Sequence, residues 1–124
     1  MNERKKLVVI DDDPRFRELF EDTFSADFEV TSAKDWDEGA GACRDEAPAV
    51  VIVDLFMPRV NGLSIVHALA EDEATRDIPV LVVSSSCVDA PMRLALAAQS
   101  NVRRVLDKLS GLRGLRAAVA AATA

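Results

Sequence analysis

The chain has 124 residues, of which 49% are hydrophobic and 29% are charged. This length and composition fit one folded domain and exclude a disordered chain, and the longest apolar runs are far shorter than the about 18 residues that a membrane-spanning helix needs. The net charge of −6 argues against direct nucleic acid binding by the whole surface, although residues 88–124 carry six basic and two acidic residues. No secretory signal is expected, so we predict a cytoplasmic protein in which Cys43 and Cys87 are reduced core thiols.

Short apolar runs alternate with amphipathic stretches along the chain. The predicted strands, in chain order, are Leu7–Ile10, Phe28–Ser32, Val50–Val53, Val80–Val83 and Val102–Leu106. The predicted helices are Pro14–Phe24, Asp35–Ala47, Gly62–Asp72, Pro91–Ser100 and Leu112–Ala122, and residues 55–61 are expected to form a loop. The first, third and fourth strands are apolar throughout, which is typical of a parallel sheet covered on both faces. We therefore expect residues 1–124 to form a single α/β sandwich with right-handed crossovers, and no output domain in this chain.

Polar side chains follow four of the predicted strands at their carboxyl ends, where open α/β sheets bind ligands. These residues are Asp11, Asp12, Asp54, Ser84, Ser85 and Lys108. Carboxylates that meet at one edge of a sheet repel one another, and a hard divalent cation such as Mg²⁺ offsets that repulsion with oxygen ligands. The alternative is a solvated acidic rim with Lys108 as a passing ion pair. Asp13 precedes Pro14, so we expect it to cap the first helix rather than to bind metal.

The ordered set of motifs resembles the receiver domain of two-component response regulators over nearly the whole chain. The motifs are LVVIDDDP at 7–14, DLFMP at 54–58, Gly62, PVLVVSS at 79–85 and Lys108. The resemblance implies a flavodoxin-like three-layer sandwich, in which a five-stranded parallel sheet of order 2-1-3-4-5 is flanked by five helices.

The resemblance also implies how the strand-end residues act. Asp54 would be the phosphoacceptor, with Ser84 and Lys108 each contacting a phosphoryl oxygen. Asp12, Asp54 and the backbone carbonyl of Phe56 would bind Mg²⁺ directly, and Asp11 would act through a metal-bound water. The physics agrees, because phosphoryl transfer depends on positioning and charge neutralisation.

The implied partners are a sensor histidine kinase or phosphotransfer protein and a downstream effector. The effector would bind the face formed by the fourth helix, the fifth strand and the fifth helix, where arginines favour an acidic partner. A homodimer is a further possibility, and no membrane partner is expected. The chain would be a signalling switch rather than an enzyme, since only self-catalysed phosphotransfer and slow autodephosphorylation are implied.

Three residues depart from the family pattern. Leu109 replaces the usual proline after the lysine, which predicts a trans Lys108–Leu109 bond or a strained cis bond. Val105 replaces the usual aromatic residue of the switch, and Asn101 replaces a glycine, where a left-handed helix end is expected. Val105 and Leu109 favour the alternative function, a pseudo-receiver that binds partners without phosphate. An aspartyl phosphatase is a third hypothesis, but Phe56 occupies the position of its second acid.

Overall fold

A parallel sheet of five strands lies at the centre of the molecule, whose computed structural model describes residues 4–124. The strands in chain order are β1 (Lys5–Ile10), β2 (Phe28–Ala33), β3 (Val50–Asp54), β4 (Phe56–Met57), β5 (Val60–Asn61), β6 (Val80–Ser84) and β7 (Val102–Asp107). The sheet order is β2-β1-β3-β6-β7 with every pair parallel. Counting only the five sheet strands, this is the order 2-1-3-4-5 that the resemblance implies.

Residues 4–124 form five helices, and the first four of them begin where the sequence places capping residues. Their bounds are α1 (Pro14–Phe24), α2 (Trp36–Glu46), α3 (Gly62–Glu71), α4 (Ala90–Ala97) and α5 (Leu112–Ala122). Asp13, Asp35, Asn61 and Asp89 each accept a hydrogen bond from a backbone N–H of the first turn that follows. These side chains satisfy donors that a helix start otherwise leaves without a partner. None of the helices in residues 4–124 is both long and apolar enough to span a bilayer.

The three central strands, β1, β3 and β6, bury side chains on both faces, which gives the molecule two apolar layers. Val8 and Ile10 of β1 pack on the side that contains residues of α2, α3 and α4, including Leu96. Leu7 and Val9 pack on the opposite side with residues of α1 and α5. Side chains alternate across a strand, so segments 7–10 of β1, 50–53 of β3 and 80–83 of β6 are apolar at every position and fill both layers. The predicted three-layer sandwich is confirmed.

Several local predictions need correction. The predicted loop 55–61 contains a short antiparallel hairpin formed by β4 and β5. The fourth helix spans Ala90–Ala97, and residues 98–101 instead form the turn that leads into β7.

Two single-residue predictions were also wrong. Asn101 does not have a left-handed backbone; it is 3% exposed, and its amide donates to the carbonyl of Val66 at 3.0 Å. Cys43 is a core thiol as predicted, whereas Cys87 is exposed because it lies in the loop after β6 rather than in the strand.

Candidate functional site

Two adjacent central strands each deliver a buried carboxylate to the same edge of the sheet. Asp11 directly follows β1 and is 0% exposed, and its backbone N–H donates to the carbonyl of Ala33 at 3.0 Å. Asp54 is the last residue of β3 and is 4% exposed. Because β1 and β3 are parallel neighbours, their carboxyl ends lie together and so do these two acids.

Lys108 brings a buried positive charge to this pair from the end of β7. Its Nζ lies 2.8 Å from Oδ2 of Asp11 and 3.3 Å from Oδ2 of Asp54, and its side chain is 3% exposed. Its backbone N–H donates to the carbonyl of Ser84 at 2.8 Å, which ties the start of the β7–α5 loop to β6. The sequence prediction that Asp11, Asp54 and Lys108 meet is therefore confirmed.

Asp12 completes a cluster that suits a divalent cation. Carboxylate oxygens of Asp11, Asp12 and Asp54 lie within 4.8 Å of one another, and Asp12 is exposed while the other two are buried. The cluster holds three carboxylates, and the Lys108 ammonium contacts two of them, so negative charge is in excess within the cluster. Burial, followed by the negative charge of Asp11, raises the pKa of Asp54 to about 6, and Lys108 limits the rise. An all-oxygen donor set with excess negative charge fits Mg²⁺.

Asp13 is not part of this cluster. Its carboxylate accepts a hydrogen bond from the backbone N–H of Arg15 at 2.9 Å and forms an ion pair with the same residue. The guanidinium of Arg15 holds the pKa of Asp13 at about 2. This confirms the prediction that Asp13 caps α1, and its backbone N–H also donates to Oδ1 of Asp11 at 2.9 Å.

Ser84 lies at the site, but its hydroxyl bonds to the following loop. The residue is 2% exposed at the end of β6. Its Oγ donates to the carbonyl of Ser86 at 2.7 Å and accepts from the N–H of Ser86 at 3.1 Å. Contact with a group on Asp54 would therefore require the hydroxyl to leave Ser86.

Phe56 flanks Asp54 on the solvent side. It begins the small β4–β5 hairpin and is 47% exposed. Its backbone N–H donates to Oδ1 of Asp54 at 3.4 Å, so the residue contacts the carboxylate through its backbone.

The sequence analysis assigned no role at the site to Phe16 and Arg17, two residues of α1. The Phe16 ring lies below the Lys108 ammonium, with 4.1 Å from Nζ to the ring centroid. Nη1 of Arg17 donates to the backbone carbonyl of Asp11 at 2.7 Å. Phe16 falls within the predicted helix Pro14–Phe24, where its helical spacing with Phe20 indicates only a residue of the apolar face. Its place in the first turn after the aspartates was the signal that could have indicated a second role.

Leu109 and Val105, which differ from the family pattern, both lie in or directly after β7. The Lys108–Leu109 bond is trans, which is the first of the two predicted alternatives, since residues 4–124 contain no cis peptide. The N–H of Leu109, which a proline would lack, donates to Oδ1 of Asp107 at 2.8 Å. Val105 lines a cleft of about 220 Å³ together with the loop 84–88 and Arg93.

Comparisons with known proteins agree with this geometry. The family model for the response regulator receiver domain matches residues 7–120. The DNA-binding dual master transcriptional regulator RpaA of Synechocystis sp. is 32% identical over 81 residues, which cover 64% of this chain and 34% of RpaA. The sensor histidine kinase TmoS of Ectopseudomonas mendocina is 29% identical over 118 residues, which cover 95% of this chain and 12% of TmoS.

Among solved structures, the chemotaxis protein CheY4 of Vibrio cholerae superposes with a TM-score of 0.87 at 21% identity, over 97% of this chain and 99% of that one. This similarity concerns the fold. The matched segment spans only about a third of RpaA and about an eighth of TmoS.

Proposed function

Because the chain belongs to the response regulator receiver domain family of two-component signalling, we propose that Asp54 accepts a phosphoryl group from a phosphohistidine on a sensor histidine kinase or phosphotransfer protein. The observation that carries this proposal is the buried cluster in which Lys108 contacts both Asp11 and Asp54, with Asp12 beside them. The protein acts as a switch in the cytoplasm: it catalyses its own phosphorylation and slow dephosphorylation and turns over no other substrate.

The transfer requires an ionised carboxylate held in line with the incoming phosphorus. A carboxylate oxygen of Asp54 forms a bond to phosphorus while the bond from phosphorus to the donor's imidazole nitrogen breaks, and the electron pair of that bond stays on the nitrogen. Lys108 moves from the carboxylate towards a phosphoryl oxygen, where it balances charge. An ammonium suits this role because it acts as a compact charge that does not demand one planar geometry.

Asp12 and Asp54 would hold Mg²⁺ with the backbone carbonyl of Phe56, and Asp11 would hold it through a bound water. When bound, the cation supplies charge neutralisation for the phosphoryl oxygens. The excess negative charge of the three acids supports this assignment, since burial and then the charge of Asp11 raise the pKa of Asp54, and the cation would offset the charge of Asp11.

The hydrogen bonds of Ser84 suggest how phosphorylation would change the conformation of the loop after β6. After transfer, its hydroxyl would exchange its two hydrogen bonds with Ser86 for one to a phosphoryl oxygen. The loop after β6 would then change its conformation beside β7 and α4, because Lys108 and Ser84 are also joined through the backbone. Phosphate would thus shift the population between two packings of this region.

The face formed by α4, β7 and α5 fits an acidic effector. Arg93, Arg103 and Arg104 line a groove of about 410 Å³ there, together with Ala97, Val102 and Val105 and without an acidic side chain. Exposed arginines attract an acidic segment and give it directional hydrogen bonds. A symmetric homodimer through this face would bring like charges together, so a homodimer would use another surface.

A second candidate function is a pseudo-receiver that binds its partner without phosphate. Val105 favours it, because its side chain lacks an aromatic ring that could turn into the neighbouring cleft. In this candidate the ion pairs of Lys108 with Asp11 and Asp54 are purely structural.

Incubation with acetyl phosphate and Mg²⁺ separates the two candidates. We expect intact-mass spectrometry to show a gain of one phosphoryl group, which is lost in Asp54→Asn and in buffer with EDTA. Asp13→Asn is the matched control, because it changes a neighbouring carboxylate that caps α1, and it should keep the gain. No gain with acetyl phosphate or phosphoramidate in the folded wild type would contradict phosphorylation and support the pseudo-receiver.

A further inference from the structure

We propose that Phe16 is a positioning residue, whose ring holds the Lys108 ammonium at Asp11 and Asp54. The inference rests on the proposed function and extends it to a residue outside the acidic cluster. Nζ of Lys108 lies 4.1 Å from the centroid of the Phe16 ring. A cation at this distance from a ring face is attracted by the negative face of the ring, and the attraction strengthens when water is excluded.

The surroundings of Lys108 leave little room for water. Its side chain is 3% exposed, and Asp11 and Asp54 contact its ammonium at 2.8 and 3.3 Å. An ammonium has three N–H donors, so a group with only two carboxylate neighbours needs one more favourable contact when it is buried. The Phe16 ring occupies that remaining side.

The ring is itself held by the core. Phe16 lies in the first turn of α1, and its ring packs against Phe20 at 6.0 Å between centroids. Phe20 is 1% exposed, so it anchors the ring from the interior. Leu109, the residue next to Lys108, is 68% exposed and cannot restrict the lysine side chain by packing. Besides the two carboxylates, the Phe16 ring on α1 is therefore in place to orient the Lys108 ammonium.

The Phe16 ring attracts the Lys108 ammonium in a way that differs from the attraction of the carboxylates. Its attraction for an ammonium does not depend on the charge of Asp11 or Asp54, so it persists when those groups engage another cation or a phosphoryl group. Phe16 would then keep Lys108 near the phosphoryl oxygens without touching them. It would influence the phosphorylation rate through Lys108 alone.

The contact is tested first in protein free of metal and phosphate, by NMR of the Lys108 ε-methylene protons. We expect the ring current to move these protons upfield in the wild type and in Phe16→Tyr. In Phe16→Leu, which keeps apolar bulk without a ring, the upfield shift should be lost. Phe28→Leu makes the same chemical change in the same apolar layer at the start of β2, and it should retain the shift.

The consequence is tested by the rate of phosphorylation from acetyl phosphate with Mg²⁺. We expect a rate about three- to tenfold lower in Phe16→Leu, restored in Phe16→Tyr and unchanged in Phe28→Leu. Thermal unfolding of the variants checks that each is folded, and Phe16→Met replaces Phe16→Leu if the latter does not fold.

Two results would overturn the inference: an unchanged Lys108 resonance in the ring-less variant, or equal rates in Phe16→Leu and Phe28→Leu. If the wild type accepts no phosphoryl group at all, the proposed function fails. The Lys108 resonance then decides by itself whether the ring holds the ammonium.

Discussion

The interiors of the central strands and their carboxyl ends are equally buried but differ in chemistry. Ile10 and Val53 are 0% exposed and apolar, and each is followed directly by a buried acid, Asp11 or Asp54. Burial of the apolar side chains stabilises the fold, whereas burial of the carboxylates raises the cost of their charge. Neighbouring residues of one strand therefore differ in role: the last apolar residue stabilises the fold, and the acid that follows it belongs to the site.

The largest change in the free energy of unfolding is expected from a substitution in the apolar interior of a central strand. Ile52→Ala, in the middle of β3, should lower the free energy of unfolding by about 2–5 kcal/mol, because it removes buried methyl groups and leaves a cavity. Urea unfolding measures the change. Leu94 is 71% exposed on α4, so Leu94→Ala should stay within about 0.5 kcal/mol of the wild type. Equal losses in the two variants would contradict the assignment of the core.

A substitution of the buried acid at the carboxyl end of β3 is expected to stabilise the fold instead. The pKa of Asp54 in the folded protein is about 6, above its ordinary value of 3.8, so the folded state binds the proton more tightly than the unfolded chain. The resulting destabilisation is full above pH 6 and disappears as the pH falls below about 4. In buffer with EDTA at pH 7.5, Asp54→Asn should therefore raise the free energy of unfolding by about 1–3 kcal/mol.

Urea unfolding from pH 4 to pH 8 checks this prediction, and the gain should vanish at the acidic end. Mg²⁺ should stabilise the wild type, since a ligand of the folded state adds to its stability. The difference in the free energy of unfolding between Asp54→Asn and the wild type should then become smaller. Asp13 is the contrasting carboxyl because its pKa is about 2. Asp13→Asn should give no stabilisation, and a gain equal to that of Asp54→Asn would contradict our account.

A smaller effect is expected just beyond the strand end. The half-exposed ring of Phe56 stands beside Asp54, and we expect it to shield an acyl phosphate from water. Phe56→Asn should shorten the half-life of the phosphorylated form about threefold or more, whereas Phe56→Leu should retain most of it. Loss of phosphate after removal of the donor measures the rate, and equal rates in wild type and Phe56→Asn would end the hypothesis.

The smallest effect is expected in the loop after β7. Leu109→Pro removes the N–H that donates to Asp107 at 2.8 Å on an exposed surface. The free energy of unfolding should fall by about 0.5–1 kcal/mol, and Leu109→Ala, which keeps the N–H, should change it less. Thermal or urea unfolding compares the two. A more stable proline variant would show that the loop before α5 does not depend on this hydrogen bond.

Sequence reasoning predicted much of the site because it depends on strand ends. The buried strands are visible as apolar runs, so the acids that follow them, Asp11 and Asp54, could be placed at one edge of the sheet before the structure was known. The contact of Lys108 with Phe16 could not be predicted in this way. An aromatic residue on the apolar face of α1 has the same sequence pattern whether its ring covers a core residue or an ammonium.

The residues alone indicate the alternation of five sheet strands with five helices, and the order in which carboxylates, hydroxyl and lysine follow those strands. These features follow from the local periodicity of apolar residues and from capping residues such as Asp13, both of which act over a few neighbouring positions. The burial of Asn101 against the carbonyl of Val66 and the exposure of Cys87 emerge only in the folded chain. These outcomes depend on how distant segments pack around each side chain, and the residues adjacent in the chain do not carry that information.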